Sequence, residues 1–475
     1  MKKLYYYIVL AVAVSSHGIT VAQTEKEYKA VSINYVDLSD NAKVSANPII
    51  TKALSNKLIK GSTSVIQIKL DDIINSNLSG IGGAFNEQGG EAFMSLDTRQ
   101  QKKLVVSIFN TEEGFGFSQC RTAIGASDFG LSAYSYSETT EDYEMKHFSV
   151  ARDEKTVIPF IKAAYAENPA LQMFASPWSP PGWMKKSGKM DGGNENVSTN
   201  KLIDDPKIYN AYALYFTKYI QEYVTLGVKI NRLIIQNETD MNPKYPGCDM
   251  SSEQMSELVI NYIRPAFKEA KIATELWAGS FRGKRHDAQA FMTLEGAKVV
   301  DGVGLQYCGS KDIIALNKDY PKMKFMHTEG KCYNGDNTME QARSRFSEVA
   351  MWLNGGCENY CYWNMILNEE SKSAWGWKQN SMITIDRQTK KITYNPDYAP
   401  MALFSKFIQP GDQTLNTFQT HKMDVIAVSN KEHLVVFLQN DTEEEIIQNI
   451  KVENQNFTVE LPVKSLCAFL FKVVK

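Results

Sequence analysis

Between about residues 80 and 365, apolar positions fall into short continuous runs, and the stretches between them carry apolar residues at helical spacing. The run from Leu233 to Ile235 is typical, because it is apolar throughout and stops at the polar residues Gln236, Asn237 and Glu238. Continuous runs mark strands that are covered on both faces, as in parallel sheets wrapped by helices. With the other strand-like segments of this region, eight strands are predicted, centred on Gly82, Cys120, Met173, Ile234, Leu276, Gly304, Met326 and Tyr362.

Helices are predicted between these strands, at residues 96–109, 154–167, 205–226, 252–270, 287–297 and 338–353. Strands that alternate with helices form parallel sheets through right-handed crossovers. Eight of them predict an α/β fold, a (β/α)8 TIM barrel.

Both ends of the chain follow a different pattern. Short strands with polar turns are predicted at 32–36 and 64–70, and again after Pro410 and Gly411, at 424–428, 434–438, 457–461 and 468–474. Such strands are typical of antiparallel sheets. We therefore expect an antiparallel β-sandwich side domain made from both chain ends. The predicted division is 1–22 for a signal peptide, 23–75 for the N-terminal strands, 76–409 for the barrel and 410–475 for the rest of the side domain.

The first residues have the features of an export signal. Lys2 and Lys3 are followed by an apolar stretch over 4–14 and by small residues at 20–22, before Gln23. This order of charged, apolar and small residues is that of a cleavable signal peptide. The stretch is too short to span a bilayer, and no later segment reaches that length. The expected mature protein is periplasmic or secreted and has no integral membrane segment.

Composition excludes several other classes of function. The net charge of −2 argues against nucleic acid as a partner. The seven cysteines are irregularly spaced, so a structural metal is not expected; free buried thiols are the default, and one or two disulfides stay open. Of the six histidines only His327 lies near a strand end, which disfavours a metal-dependent hydrolase and suits a packed residue. No cofactor is expected, and the oligomeric state is left open.

Two glutamates follow predicted barrel strands directly. Glu238 comes after the fourth strand and Glu329 after the seventh. Catalytic side chains of barrels project from this end of the strands. A retaining glycosidase needs two carboxyl groups roughly 5–5.5 Å apart, one as acid and one as nucleophile. The alternative is a pair of solvated loop acids.

Nearby residues could assist this pair. Asn237 stands beside the predicted acid and could bond a sugar 2-hydroxyl, and Arg121, at the second strand, could keep Glu329 ionised. Trp375 and Trp377 are core residues or a sugar platform; their glycine-separated loop after the eighth strand favours the platform.

Several stretches of the chain resemble glycoside hydrolase family 30. They are residues 80–85, 124–129 with 134–136, 176–184, 236–238 and 327–330, in the family's order. The resemblance implies retaining β-glycoside hydrolysis, with Glu238 as acid/base and Glu329 as nucleophile. It also places Arg121, Asp128, Trp178 and Trp363 around the sugar; for Asp128 the alternative is a turn former or helix cap.

Departures from the family pattern narrow the expected substrate. Thr239 stands where the wider clan often has proline, and Asn86-Glu87 replaces the usual Thr-Asp. Gln306 and Tyr307 replace the His-Trp of glucosylceramidases. Gln306, with residues 375–382, is more similar to the endo-β-1,6-glucanase branch, whereas Tyr307 in place of the tryptophan expected there counts against that branch. The expected substrate-binding residues are Arg121, Asp128, Trp178, Asn237, Gln306, Tyr307, Trp363, Trp375 and Trp377.

The sequence thus predicts an exported retaining endo-β-1,6-glucanase that acts on β-glucan polysaccharide or oligosaccharide. The alternatives are an exo-acting β-glucosidase or glucosylceramidase-like enzyme and, in a different class, a non-catalytic glycan-binding protein. The last ranks below the others because both glutamates are present.

Overall fold

A computed structural model describes residues 27–40, 44–54, 64–192, 199–283, 285–420 and 423–474. The predicted signal peptide, residues 1–22, lies outside the described residues. The strands divide among an eight-stranded sheet, a nine-stranded sheet and a three-stranded sheet. Three strands precede the eight-stranded sheet: β1 (Tyr28–Asp37), β2 (Ile50–Ala53) and β3 (Val65–Asn75).

The eight-stranded sheet is the predicted TIM barrel. Its strands are β4 (Gly80–Phe85), β5 (Gln119–Ile124), β6 (Gln172–Pro177), β7 (Arg232–Ile234), β8 (Glu275–Arg282), β9 (Gly302–Gln306), β10 (Phe325–His327) and β11 (Asn359–Asn364). They are hydrogen-bonded in the order β10-β9-β8-β7-β6-β5-β4-β11, and a parallel bridge between Gly330 and Tyr362 joins the two ends. Each of the eight predicted strand centres lies in one of these strands, so the fold prediction is confirmed.

Side chains fill the barrel interior. Phe174, Ile234, Trp277, Met326 and Cys361, from five different strands, form one fully buried cluster. Gly82 shows how closely neighbouring strands approach, since a Cβ there would lie 1.7 Å from the backbone oxygen of Gln119. This glycine therefore serves backbone packing, as glycine in a strand interior often does.

Helices surround the barrel strands. They are α1 (Glu87–Met94), α2 (Thr98–Phe109), α3 (Val157–Glu167), α4 (Pro206–Thr225), α5 (Ser252–Leu258), α6 (Arg264–Glu269), α7 (Arg285–Met292), α8 (Ser310–Asp319), α9 (Met339–Asn354) and α10 (Tyr398–Phe407). The prediction missed α1, α8 and α10. It also treated 252–270 as one α-helix, whereas a π-helical turn over Val259–Ile263 separates α5 from α6.

Past the barrel strands, the chain forms a small sheet and then returns to the side domain. The small sheet consists of β12 (Ile366–Asn368), β13 (Ile383–Ile385) and β14 (Ile392–Tyr394). The remaining strands are β15 (Gln413–Gln419), β16 (Val425–Ser429), β17 (His433–Asn440), β18 (Ile446–Val452), β19 (Gln455–Leu461) and β20 (Ser465–Val473). Of these, β15 and β18 were not predicted.

Both chain ends build the nine-stranded side-domain sheet, in the order β19-β18-β3-β15-β16-β17-β20-β1-β2. The sheet is antiparallel except that β18 pairs with β3 in parallel. Phe457 of β19 and Phe471 of β20 lie far apart in this order, yet their ring centroids are 4.8 Å apart. The sheet therefore folds over its own apolar face, which makes the predicted sandwich. The exact limits 23–75, 76–409 and 410–475 stay a prediction.

Two further observations concern disulfide bonds and membrane-spanning helices. All seven cysteines are buried free thiols, so the default expectation applies and the alternative of one or two disulfides does not. None of the helices in the described part of the chain is both long and apolar enough to cross a membrane.

Candidate active site

Glu329 lies two residues beyond β10, and donors engage both of its carboxylate oxygens. Arg121 of β5 donates from Nη1 to Oε2 at 2.6 Å. The hydroxyl of Tyr307, which follows β9, donates to Oε1 at 2.6 Å. The Glu329 side chain is only 8% exposed, and the Arg121 side chain is fully buried. One cationic and one neutral donor thus fix the orientation of this buried carboxyl group.

Arg121 is the centre of a wider network. Its Nη2 donates to Oδ1 of Asn237 and to Oγ of Ser176, both at 2.7 Å. Its guanidinium carbon lies 4.4 Å from the ring centroid of Trp178 and 5.5 Å from that of Trp363. The planar fork of arginine suits several simultaneous bonds and stacking on aromatic faces. Arg121 thus connects Glu329 to the residue next to Glu238.

Glu238 follows β7 and has a different environment. It accepts a bond from Nε2 of Gln306 at 3.1 Å and one from the hydroxyl of Tyr245 at 3.2 Å. The Nη1 atom of Arg282 lies 3.9 Å from its Oε1. Burial, followed by the negative charge of Glu329, raises the pKa of Glu238 to about 7, although Arg282 and Tyr245 lower it. Glu238 can therefore carry a proton at neutral pH.

The backbone at Glu238 is unusual as well. Its φ is +47°, in the left-handed region that non-glycine residues seldom adopt. The backbone N–H of Asn237 donates to the carbonyl of Pro177 at 2.8 Å, and Nε2 of Gln236 donates to the carbonyl of Trp178 at 2.8 Å. These bonds hold the two residues just before Glu238, and strained backbone held by its surroundings is often found at functional sites.

Asp128 is a third buried carboxyl group near the pair. Burial raises its pKa well above the ordinary value, and the charges of Glu329 and Glu238 add to the effect. Its Oδ1 atom is buried without a hydrogen-bond partner, and the same holds for Nε1 of Trp363. Trp178 and Trp363 stack with their ring centroids 4.9 Å apart. Two unpaired polar atoms beside an aromatic pair are suited to a polar ligand, because buried polar groups normally have partners.

The two tryptophans after β11 are half-buried. The Trp377 ring packs against the ring of Tyr245, with centroids 5.1 Å apart. Because Tyr245 also bonds Glu238, Trp377 lies on the Glu238 side of the site. Trp375 is in the same loop, and its backbone N–H donates to Oγ of Ser373 at 3.1 Å. Their placement agrees better with a surface role than with a core role.

Gln306 is fully buried and contacts Glu238 itself. Its Oε1 accepts a bond from Thr328 at 2.9 Å while its Nε2 reaches Glu238. Tyr307, in turn, contacts Glu329. Both residues were predicted as substrate-binding; the structure adds that each one positions a glutamate.

Sequence reasoning missed Tyr245, Arg282, Ser176 and Thr328. Arg282 ends β8 and Ser176 lies in β6, so the rule that locates Glu238 at a strand end could have suggested both. Tyr245 lies in an irregular loop, and nothing in the local pattern identifies it.

His327 is packed rather than available for chemistry. It is buried, its ring stacks on Tyr360 at 4.4 Å, and burial lowers its pKa well below the ordinary value. In the described residues, no cluster of three or more histidine, cysteine or acidic side chains could hold a metal ion.

Residues 78–283 match the sequence profile of the family described as Glycosyl hydrolase family 30 TIM-barrel domain. This part of the barrel belongs to glycoside hydrolase family 30. The matched segment contains Glu238 and ends before Glu329, so the position of Glu329 rests on the geometry above.

Two curated relatives and one solved structure are similar to this chain over most of its length. "Putative glucosylceramidase 3" of Caenorhabditis elegans is 28% identical over 79% of this chain and 75% of its own. "Endo-1,6-beta-D-glucanase BGN16.3" of Trichoderma harzianum is 28% identical over 71% of this chain and 70% of its own. The structure of SrfJ from Salmonella typhimurium has a TM-score of 0.83 at 20% identity, over 93% of this chain and 99% of that one. At that identity the likeness is one of fold.

Proposed function

We propose that this hydrolase cleaves β-1,6-glucosidic linkages within β-glucan by double displacement, with Glu329 as nucleophile and Glu238 as acid/base. One observation carries the assignment of roles, namely the unequal environments of the two glutamates. Glu329 forms an ion pair with Arg121 and accepts a bond from Tyr307, whereas burial raises the pKa of Glu238 to about 7. Environments that separate two carboxyl groups in this way identify the acid and the nucleophile.

In the first step, an Oε atom of Glu329 attacks the anomeric carbon and the glycosidic bond breaks. Glu238 gives its proton to the departing oxygen, so the leaving chain departs as an alcohol. The products are a glycosyl ester on Glu329 and a Glu238 carboxylate. Because the ester has lost its negative charge, the pKa of Glu238 falls, and the carboxylate becomes a suitable base for the second step.

In the second step, Glu238 takes a proton from water as the water oxygen attacks the anomeric carbon. The ester bond to Glu329 breaks, and its carboxylate returns to Arg121 and Tyr307. The sugar leaves with its original anomeric configuration, and Glu238 is again protonated. The chain's own carboxyl groups complete the reaction.

The remaining predicted residues would bind the sugar. Asn237 has its Oδ1 occupied by Arg121, which leaves its Nδ2 for the 2-hydroxyl. Asp128 and Nε1 of Trp363 contribute the two unpaired polar atoms. Trp178 would present an aromatic wall to the sugar, and Trp377 would extend the surface on the leaving-group side.

The β-1,6 linkage is supported by named relatives and by Gln306. "Endo-1,6-beta-D-glucanase neg1" of Aspergillus fumigatus is 27% identical over 84% of each chain. A buried Gln306 stands where glucosylceramidases carry histidine, and its Nε2 donates to Glu238. Relatives named glucosylceramidases support a second candidate, an exo-acting or lipid-cleaving enzyme.

Product analysis over time distinguishes the two candidates. The substrates are linear β-1,6-glucan, with β-1,3-glucan and glucosylceramide as comparisons. The proposal expects a ladder of intermediate β-1,6 oligosaccharides at early times. Glucose alone from the first time point means exo action, and cleavage of the lipid without cleavage of the glucan overturns the linkage.

We also propose that the mature enzyme is exported, periplasmic or secreted. The proposal rests on the signal-like pattern of residues 1–22. The N-terminal sequence of protein purified from the producing cell is the test. A mature N-terminus at Gln23 supports export, and a retained Met1 in soluble cell extract contradicts it.

A further inference from the structure

Lys185 is a buried cation at the junction of two loops that carry site residues. It lies just past the short helical turn Gly182–Met184 and is 2% exposed. Its Nζ donates to the carbonyl of Met190 at 2.7 Å and to that of Gly247 at 2.6 Å. Among the described residues, no carboxylate forms a salt bridge with it. An ammonium that is taken out of water and bonded to carbonyls needs a structural reason, because burying a charge is costly.

The two carbonyls belong to different loops. The first loop follows β6 and carries Trp178, and the second follows β7 and carries Glu238 and Tyr245. Their backbones also bond directly, from Gly247 N–H to the Met190 carbonyl at 3.1 Å and from Gly192 N–H to the Pro243 carbonyl at 2.8 Å. The Met190 carbonyl therefore accepts from both Nζ of Lys185 and the backbone N–H of Gly247. Together with the bond from Lys185 to the Gly247 carbonyl, these contacts join the two loops at one position.

Tyr245 is two residues from Gly247 in the tied segment. Its hydroxyl donates to Oε2 of Glu238, and its ring packs on Trp377. A bond to the charged form of a carboxyl group lowers its pKa. The position of this loop thus decides whether Glu238 receives that bond.

We propose that Lys185 is a positioning residue, which locks the loop after β6 onto the loop after β7 and so maintains the hydrogen bond from Tyr245 to Glu238. The inference rests on the proposed role of Glu238 as acid/base. Burial lowers the pKa of Lys185 to about 8, and its electrostatic interactions with Cys248 and Asp191 act in the opposite direction. The charged and titratable groups around Glu238 are Glu329, Arg282, Tyr245, Asp240, Asp128 and Tyr307.

The test is the pH dependence of kcat/KM on β-1,6-glucan oligosaccharides for Lys185→Met, Tyr245→Phe and the double variant. Without the Tyr245 bond the pKa of Glu238 rises, so the alkaline limb moves upward by about one pH unit. We expect Lys185→Met to reproduce the shift of Tyr245→Phe, and the double variant to add nothing further. Lys186→Met, at the exposed neighbouring lysine, is the matched control and should keep the wild-type profile.

A purely structural role for Lys185 gives a different result. Lys185→Met would then lower the melting temperature but leave the alkaline limb in its wild-type position, and that outcome overturns the proposal. A shift that adds to that of Tyr245→Phe overturns it too, because the two residues would then act separately.

Gly192→Ala repeats the test should Lys185→Met fail to fold. A Cβ at Gly192 would lie 2.4 Å from Oδ1 of Asn242 and 2.7 Å from the Pro243 carbonyl oxygen, so it disturbs the same junction and leaves the ammonium in place. An upward shift supports the proposal, and a wild-type limb in the folded variant contradicts it.

Glu238→Ala separates this inference from the proposed function. With dinitrophenyl β-gentiobioside, which needs little help from an acid, azide should restore turnover and give a glycosyl azide. If azide has no effect, the acid/base assignment falls and the positioning role falls with it. If azide rescues the variant while Lys185→Met keeps the wild-type profile, only the positioning role is wrong.

Discussion

Arg121 and Glu329 form a buried ion pair across the barrel, with Nη1 of Arg121 2.6 Å from Oε2 of Glu329. The same guanidinium bonds Asn237, so one side chain positions the proposed nucleophile and the residue beside the proposed acid. A lysine at this place keeps the positive charge but cannot make both contacts.

Arg121→Lys should therefore lower kcat by roughly a hundredfold, as the loss of a preorganised donor does in other enzymes. Steady-state kinetics on β-1,6-glucan provides the measurement. Arg99→Lys, an exposed arginine of α2, is the control and should be indistinguishable from wild type. An Arg121→Lys variant with unchanged kcat would show that the ion pair does not matter for turnover.

Glu329→Gln removes the nucleophile while it preserves the shape of the side chain. We expect turnover to vanish and the circular dichroism spectrum to remain that of the wild type. A fluorinated glucoside that traps the glycosyl ester should label the wild-type peptide at Glu329, as mass spectrometry can show. Glu340→Gln, in the exposed first turn of α9, should behave as wild type. Near-full hydrolysis by Glu329→Gln would refute the assignment.

The pH profile depends on the protonation of Glu238. The proposed acid must carry its proton, and a carboxyl group is protonated below its pKa. Since the pKa of Glu238 is raised to about 7, kcat/KM should fall as the pH rises through about 7. Arg282 lowers this pKa, so Arg282→Gln should move the alkaline limb upward. An alkaline limb near the ordinary pKa of glutamate, in wild type, would contradict the assignment.

Tyr307→Phe deletes one of the two donors to Glu329. The bond from its hydroxyl is 2.6 Å long, and without it the carboxylate retains Arg121 alone and can turn away from the anomeric carbon. A hydrogen bond to a charged group is worth enough to predict a fall in kcat of about tenfold or more. Tyr320→Phe, at the end of α8, serves as the control. Equal kcat values for the two variants would rule out a role for the phenol.

Asp153 supports the site from a distance. The hydroxyls of Tyr134, Tyr136 and Tyr223 all donate to its buried carboxyl group. Tyr223 belongs to α4, so the carboxyl group joins this helix to the segment that follows β5 and carries Asp128. Asp153→Ala leaves three buried phenols without an acceptor and should lower the free energy of unfolding by about 3 kcal/mol or more.

Chemical denaturation measures this loss. The control is Glu154→Ala, at the exposed next residue, which should change the free energy of unfolding by less than about 0.5 kcal/mol. A loss below about 1 kcal/mol in Asp153→Ala would mean that the phenols find other partners.

The barrel was predictable because its signal is local. Short strand-like segments between helical stretches identify β4 to β11 one at a time, and each segment needs only its own residues. The prediction failed where local signals are weak. α1 begins with Glu87-Gln-Gly-Gly90, and it was missed because glycine disfavours helices. In the structure the Asn86 side chain caps this helix by accepting a bond from the Gly89 N–H at 2.7 Å. α8 carries polar residues at most positions and buries only Ile313 and Leu316.

The sequence by itself determined the eight strands, the α/β class and the strand-end positions of Glu238 and Glu329, because hydrophobic period and chain direction are properties of short segments. Only the tertiary structure decided how the two glutamates differ. Glu329 receives Arg121 from β5 and Tyr307 from beyond β9, while Glu238 receives Tyr245, Arg282 and Gln306 from three other places. A pKa depends on burial and on charges a few ångströms away, and neighbours in space come from segments that are distant along the chain.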